Sequence, residues 1–338
     1  MSRIVEQLNL GLHRAFEKDE SVYLLGEDVL DPYGGAFKVS QGLSTKYPER
    51  VFTSPVSEAA IVGVAGGMAL RGLRPVVEIM FGDFTTLIAD QLINSLSKFG
   101  WMYNEQVQVP VIIRTPMGGR RGYGPTHSQT LEKLFLGTPG LRILAANTLQ
   151  DPAEMLEKAI LKTVGPTLFI ENKMLYAKEL LTTEELAGFE VEQGVSPDGV
   201  ARSYLLSFLD APAPKYTIAT YGFMAEMARE ALQRLAFEEE LFGEMYVAGQ
   251  IWPLPEHGGL SDLLMNSVER TGSLLSLEEG GLSYGWGAEI ISRAAQLKPQ
   301  LHFGRVGAED QVIPASIDLE AEVLPDVDDI MAAIRKMV

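Results

Sequence analysis

Cysteine is absent from the 338-residue chain, which excludes disulfide frameworks, thiolate zinc sites and thiol nucleophiles. Histidine is scarce, at four residues, and cations are outnumbered: 28 Lys and Arg stand against 45 Asp and Glu, for a net charge of −17. That surplus excludes non-specific binding to nucleic acid or to an anionic membrane surface, both of which need clustered Lys and Arg. Long apolar runs are also missing. The longest, Ala59–Leu70, ends at Arg71, short of the roughly 20 residues a membrane span requires. The opening stretch, 1–20, carries charges every few residues, unlike a secretory or transit segment, so the expected compartment is the cytoplasm. What the chain does contain, 46% hydrophobic and 22% charged residues, suffices for two well-buried cores.

Ile4, Leu8, Leu12 and Phe16 recur every four residues and predict an opening helix, followed by a strand over Val22–Leu25. Helical stretches (59–70, 86–99, 152–163) then alternate with β-rich runs over 75–80, 109–114, 141–145 and 168–171. This alternation predicts a parallel α/β sheet, and uninterrupted apolar runs such as Val111-Ile112-Ile113 suit strands covered on both faces. Residues 179–215, with Pro197, Pro212 and Pro214 and no sustained period, read as a connector holding one short hairpin. From Tyr216 strands and helices alternate again. The expected organisation is two α/β domains, 1–178 and 216–338, joined by 179–215. No internal repeat is present.

Three segments are more polar than such a scaffold requires. Ser54-Pro55-Val56-Ser57-Glu58 leads into the apolar helix. A carboxylate there is ordinarily a cap for free N–H groups; the alternative is a desolvated Glu58 that holds a proton for a ligand nitrogen. Residues 118–129 form a glycine-rich loop ending in His127-Ser128-Gln129, after a buried strand and so at the carboxyl edge of the sheet, where ligands bind in these folds. Its spacing matches neither phosphate-binding glycine motif, and a lone histidine is more often structural. Phe81-Gly82-Asp83-Phe84 also follows a strand; such rings are ordinarily core, but one at a ligand edge can stack on a heteroaromatic cofactor. His13, His257 and His302 have no partners at metal-ligand spacing, and no G-x-S-x-G elbow occurs.

Taken together these segments resemble the beta subunits of the thiamine-diphosphate-dependent 2-oxo acid dehydrogenases. The resemblance runs through Gly26-Glu27-Asp28-Val29, 35–43, Pro55-Val56-Ser57-Glu58-Ala59-Ala60, Asp90-Gln91-Leu92-Ile93-Asn94, 109–114, His127-Ser128-Gln129-Thr130-Leu131-Glu132 and Pro139-Gly140-Leu141. It is sparser in the second half, through Tyr221-Gly222, 267–272, Glu278-Glu279-Gly280 and Gly287-Ala288-Glu289. It implies a transketolase-like pyrimidine-binding domain followed by a transketolase C-terminal domain. It implies that Glu58 shares a proton with the cofactor's aminopyrimidine, that Phe84 stacks on that ring with Met80 and Glu27 nearby, and that His127 assists proton transfer during acyl transfer. Mg2+ and the diphosphate would be held by an alpha subunit in an α2β2 heterotetramer, and K+ by backbone carbonyls, with Ala159 and Ile160 as candidates. The implied activity is oxidative decarboxylation of a 2-oxo acid with acyl transfer to a lipoyl arm, and the further partner a lipoyl acyltransferase. Carbon–carbon ligation with the same cofactor, or a non-catalytic assembly role, are the alternatives. The chain departs from the family at Thr53-Ser54 and over 250–257, where the family's Asp-Leu-Arg…Pro-Leu-Asp pattern is replaced.

Overall fold

Helix α1 (Ile4–Lys18) buries the predicted stripe of Ile4, Leu8, Leu12 and Phe16. The computed structural model describes residues 2–255 and 260–338. After α1 come β1 (Val22–Gly26), α2 (Leu43–Lys46), β2 (Val51–Thr53), α3 (Glu58–Leu70), β3 (Arg74–Glu78), α4 (Ser97–Met102), β4 (Ile112–Met117), β5 (Arg142–Ala145), α5 (Pro152–Lys162) and β6 (Thr167–Asn172). The second half holds β7 (Phe189–Val195), β8 (Arg202–Phe208), β9 (Thr217–Tyr221), α6 (Met224–Glu239), β10 (Glu244–Ala248) and β11 (Gln250–Trp252). It ends with α7 (Asp262–Thr271), β12 (Ser273–Gly281), α8 (Trp286–Leu297), β13 (His302–Ala308), α9 (Ile317–Val323) and α10 (Val327–Met337).

The strands form a seven-stranded sheet ordered β11-β5-β6-β4-β3-β1-β2 and a six-stranded sheet ordered β13-β12-β9-β10-β8-β7. The first is parallel except at β11, and the second is parallel except where β8 and β7 join it. The hairpin expected within 179–215 is β7–β8, which extends the second sheet through pairing of β8 with β10. One core cluster gathers α1 and α5 with α6 and α10; the other gathers α3 with α7 and α8. Each sheet is therefore sandwiched between helical layers, and the layers of the two domains are continuous.

Local chemistry explains where elements begin and end. Asp151 caps α5 by accepting the N–H groups of Ala153 and Glu154, with Pro152 at the first helical position. Gly11 lies where α1 meets α5, and a Cβ there would stand 2.7 Å from the Ala153 carbonyl oxygen. The helix predicted over 86–99 is instead a 3₁₀ stretch (Gly82–Ile88), a π-type stretch (Gln91–Leu96) and then α4. The Thr85 and Thr86 hydroxyls donate to the carbonyls of Gly82 and Asp83, and such bonds compete with the helical ladder. Strand β4 starts later than predicted because Pro110 has no N–H to donate. Segment 250–257 contributes β11, which crosses to pair with β5 in the first sheet, and Trp252 Nε1 donates to Thr138 O at 3.0 Å; Glu256 and His257 lie outside the described residues. Helices α9 and α10 add to the elements predicted from the sequence.

Candidate active site

The carboxyl ends of the adjacent strands β6, β4, β3, β1 and β2 supply the chemistry-bearing residues, the edge where open α/β sheets bind ligands. Glu27 follows β1, and Glu58 opens α3 just beyond β2. Ser57 is the N-cap position, its side chain makes no capping bond, and Glu58 occupies the first turn. Glu58 is 6% exposed, yet no described residue donates a hydrogen bond to its carboxylate. Its acceptor capacity is thus unspent, which the capping reading does not account for. Glu27 accepts the Ser57 N–H at 3.1 Å. Burial, and then the neighbouring Glu58 charge, push the Glu27 carboxyl above its usual range. The two acids form one electrostatic unit.

Phe84 and His127 come together. Their ring centroids are 5.4 Å apart, nearly perpendicular, and Phe81 meets His127 at 4.7 Å in the same edge-to-face manner. Thr126 Oγ1 lies 2.9 Å from His127 Nδ1, which leaves Nε2 for other partners. Met80 is half-buried just after β3. The aromatic contacts continue from Phe81 to Phe37 and from Phe37 to Tyr176. Tyr176 donates to Glu171 Oε2 at 2.6 Å; Arg114 holds Glu171 through two nitrogens and pairs with Glu78. All four are buried. Burial raises the Glu78 carboxyl against the opposing pull of Arg114. Gly35 packs directly on this network, since a Cβ there would strike the Glu78 carboxylate at 2.2 Å.

Several residues of the candidate site escape the sequence reading. Lys173, fully buried just after β6, donates to the His127 carbonyl at 2.5 Å and lies over the Phe81 and Tyr123 rings. Burial pulls its ammonium down to about 8 despite the opposing charges of Asp83 and Glu279. Asp83 accepts the Gln129 side-chain amide at 2.8 Å, and its other carboxylate oxygen is buried without a partner. A sequence signal for Lys173 did exist: a polar run, Glu171-Asn172-Lys173, ends an apolar strand, as at Glu27. Ala159 and Ile160 lie apart from the site, near the end of α5 and so toward the amino edge of the sheet. Thr163 Oγ1 donates to Ala159 O at 2.7 Å, and Arg74 donates to Ile160 O at 2.9 Å and Thr163 O at 3.1 Å.

Residues 4–178 match the family described as the transketolase pyrimidine-binding domain, and residues 209–330 the transketolase C-terminal domain. The pyruvate dehydrogenase E1 component subunit beta-2 of Oryza sativa is 32% identical, over 98% of this chain and 85% of its own. The chain belongs to the family of 2-oxo acid dehydrogenase beta subunits. Another relative, the acetoin:2,6-dichlorophenolindophenol oxidoreductase subunit beta of Cupriavidus necator, is 31% identical over 97% of this chain and 95% of its own. The Rickettsia bellii pyruvate dehydrogenase E1 beta subunit is 29% identical over 98% and 97%. The fold also matches a solved split-gene transketolase described as an inactive beta4 tetramer, with a TM-score of 0.75, 19% identity and coverage of 99% and 97%. Both sheets of this beta subunit thus have the architecture that its sequence resemblance implied.

Proposed function

We propose that this beta subunit supplies half of a thiamine-diphosphate site and, with an alpha partner, oxidatively decarboxylates a 2-oxo acid and passes the acyl group to a lipoyl arm. The observation that carries this reading is Glu58: buried, at the head of α3, with a carboxylate bonded by no described residue. An aminopyrimidine offers the missing nitrogen partner, and the half-exposed Phe84 ring offers a face nearby, so the residues fit the cofactor. When bound, thiamine diphosphate supplies the electron sink that decarboxylation of a 2-oxo acid requires. Glu58 would hold or release a proton at its carboxyl, while Met80 and Phe84 exclude water. His127, edge-on to Phe81 and Phe84 with Nδ1 engaged by Thr126, presents Nε2 for proton transfer when the acyl group departs.

The surface beside Glu58 supports a partner subunit. Val56 and Trp101 are more than four-fifths exposed, and Val64, Leu87 and Met102 more than half. Gly63 and Gly67 on α3 have open space where a Cβ would stand. Apolar exposure of this kind marks an interface. We place the Mg2+ and diphosphate ligands on the alpha subunit, the assembly as α2β2, and the complex in the cytoplasm. K+ at Ala159 and Ile160 would share carbonyls that Thr163 and Arg74 already use. A higher melting midpoint in KCl than in NaCl at equal ionic strength supports that site, and equal midpoints remove it.

CO2 release from a panel of 2-oxo acids, using the co-purified αβ complex with thiamine diphosphate and Mg2+, tests the reading. Turnover that rises on adding a lipoyl domain is expected. Turnover that depends instead on an added aldehyde would move the protein to carbon–carbon ligation, and none under either condition would leave an assembly role.

A further inference from the structure

The glycine-rich loop has no phosphate-binding spacing, yet its backbone is shaped to hold anions. Gly118, Arg120, Gly122 and Gly124 all have positive φ, at 92°, 68°, 65° and 78°, and alternating left-handed residues turn successive N–H groups toward a common concavity. That concavity is filled from within the chain, by the second domain. Glu279, at the end of β12, accepts the Gly119 N–H at 2.7 Å and the Asn172 side-chain amide at 2.7 Å. Glu320, on α9, accepts the N–H groups of Arg120 at 2.9 Å and Gly122 at 2.8 Å, one on each oxygen. Both carboxylates are buried, at 4% and 1% exposure. The fit is tight: a Cβ on Gly119 would stand 2.5 Å from Leu324 and 2.9 Å from Glu320 Oε1. Arg120 closes the contact by donating to Pro325 O at 2.6 Å.

We propose that Glu279 and Glu320 are positioning residues for His127: the second domain clamps the turn at 119–122 and so sets where the imidazole five residues further on stands. A buried carboxylate this far from solvent is costly unless fully bonded, so its two oxygens hold the turn with little freedom. Lys173 clamps the other end of the loop at the His127 carbonyl, and its ammonium carries a charge opposite to those of Glu279 and Glu320. The inference rests on the reading of His127 as a proton-transfer residue, and the experiment separates the two.

The test uses the αβ complex with Glu320→Ala, Glu320→Gln and Glu279→Gln in the beta subunit. Ile334→Val, a second-domain core change away from the loop, is the control for general loss of stability. Amide exchange over 118–129, kcat and KM for a 2-oxo acid with a lipoyl domain as acyl acceptor, the apparent affinity for thiamine diphosphate and the His127 imidazole resonances are read together. In Glu320→Ala, exchange at 119–122 rises at least about tenfold and kcat falls up to about 100-fold, the scale of a misplacement near 1 Å. Cofactor affinity stays within about twofold, because the Glu58 end is untouched. The Gln variants keep one acceptor oxygen and fall between, and Ile334→Val moves none of these. Unchanged exchange, faster exchange with unchanged kcat, or an equal kcat loss in Ile334→Val would each overturn the proposal. A wild-type complex inert toward every 2-oxo acid defeats the activity reading alone. The clamp is then decided by the imidazole resonances, which shift and broaden in Glu320→Ala if the carboxylates position His127 and stay fixed if they do not.

Discussion

Arg114 shows how single residues hold this site at a cost elsewhere. Its guanidinium is buried between Glu78 and Glu171, and Tyr176 completes the hydrogen bonding of Glu171. Removing one partner of such a network leaves uncompensated buried charge. Arg114→Met should therefore destabilise the protein by about 3–5 kcal/mol in denaturant unfolding, far more than the loss of a surface pair. An effect below about 1 kcal/mol would mean that the carboxylates find protons or water instead. His127 makes a different prediction. Its ring packs against Phe81 and Phe84, Thr126 Oγ1 lies 2.9 Å from Nδ1, and among the described residues the ring makes no ion pair. His127→Gln should keep the melting midpoint within a few degrees while slowing acyl transfer to a lipoyl domain by about 10²-fold or more. Decarboxylation measured with an artificial electron acceptor should be much less affected. Equal loss in both assays would place His127 in an earlier step.

At the scale of elements, close helix packing and local side-chain bonding shape the frame. Gly11→Ala at the α1–α5 contact should cost about 1–3 kcal/mol in chemical denaturation, since the added methyl meets a backbone oxygen that cannot rotate away. A neutral outcome would show that α1 can shift on α5. Periodicity made α1 legible, as apolar runs did for α3 and the buried strands. The helix expected over 86–99 was misread, because threonine hydroxyls that take backbone carbonyls alter the helix type without altering the apolar pattern. In the candidate site, Glu58, Phe84 and His127 stood out because polar or aromatic residues at strand ends and helix starts are conspicuous against an apolar scaffold, and the structure brings Phe84 and His127 together. Glu279 and Glu320 were not legible as partners of the glycine loop: each lies more than 150 residues from the loop N–H groups it accepts, and no local pattern encodes that pairing.

Across the whole molecule, the two domains share buried acids. Tyr221 of the second domain donates to Glu132 of the first, and Glu278 accepts the N–H groups of Trp286 and Gly287. Burial, reinforced by the Glu132 charge, pushes Glu278 up to about 7. A carboxyl with a raised folded pKa stabilises the fold fully below its unfolded value, near 4.5, and loses that contribution as pH rises through the folded value. The stability of the wild type relative to Glu278→Gln should thus fall by about 2–3 kcal/mol between pH 4.5 and pH 8; a pH-independent difference would refute this titration. The central claim is that the chain brings the proton-holding half of a shared active site, and one comparison tests it most directly. CO2 release from a turned-over 2-oxo acid is measured for the αβ complex carrying wild-type or Glu58→Gln beta subunit, saturated with thiamine diphosphate and Mg2+. The account predicts a loss of about 10²–10⁴-fold with assembly and melting midpoint retained, and full activity in Glu58→Gln would contradict it.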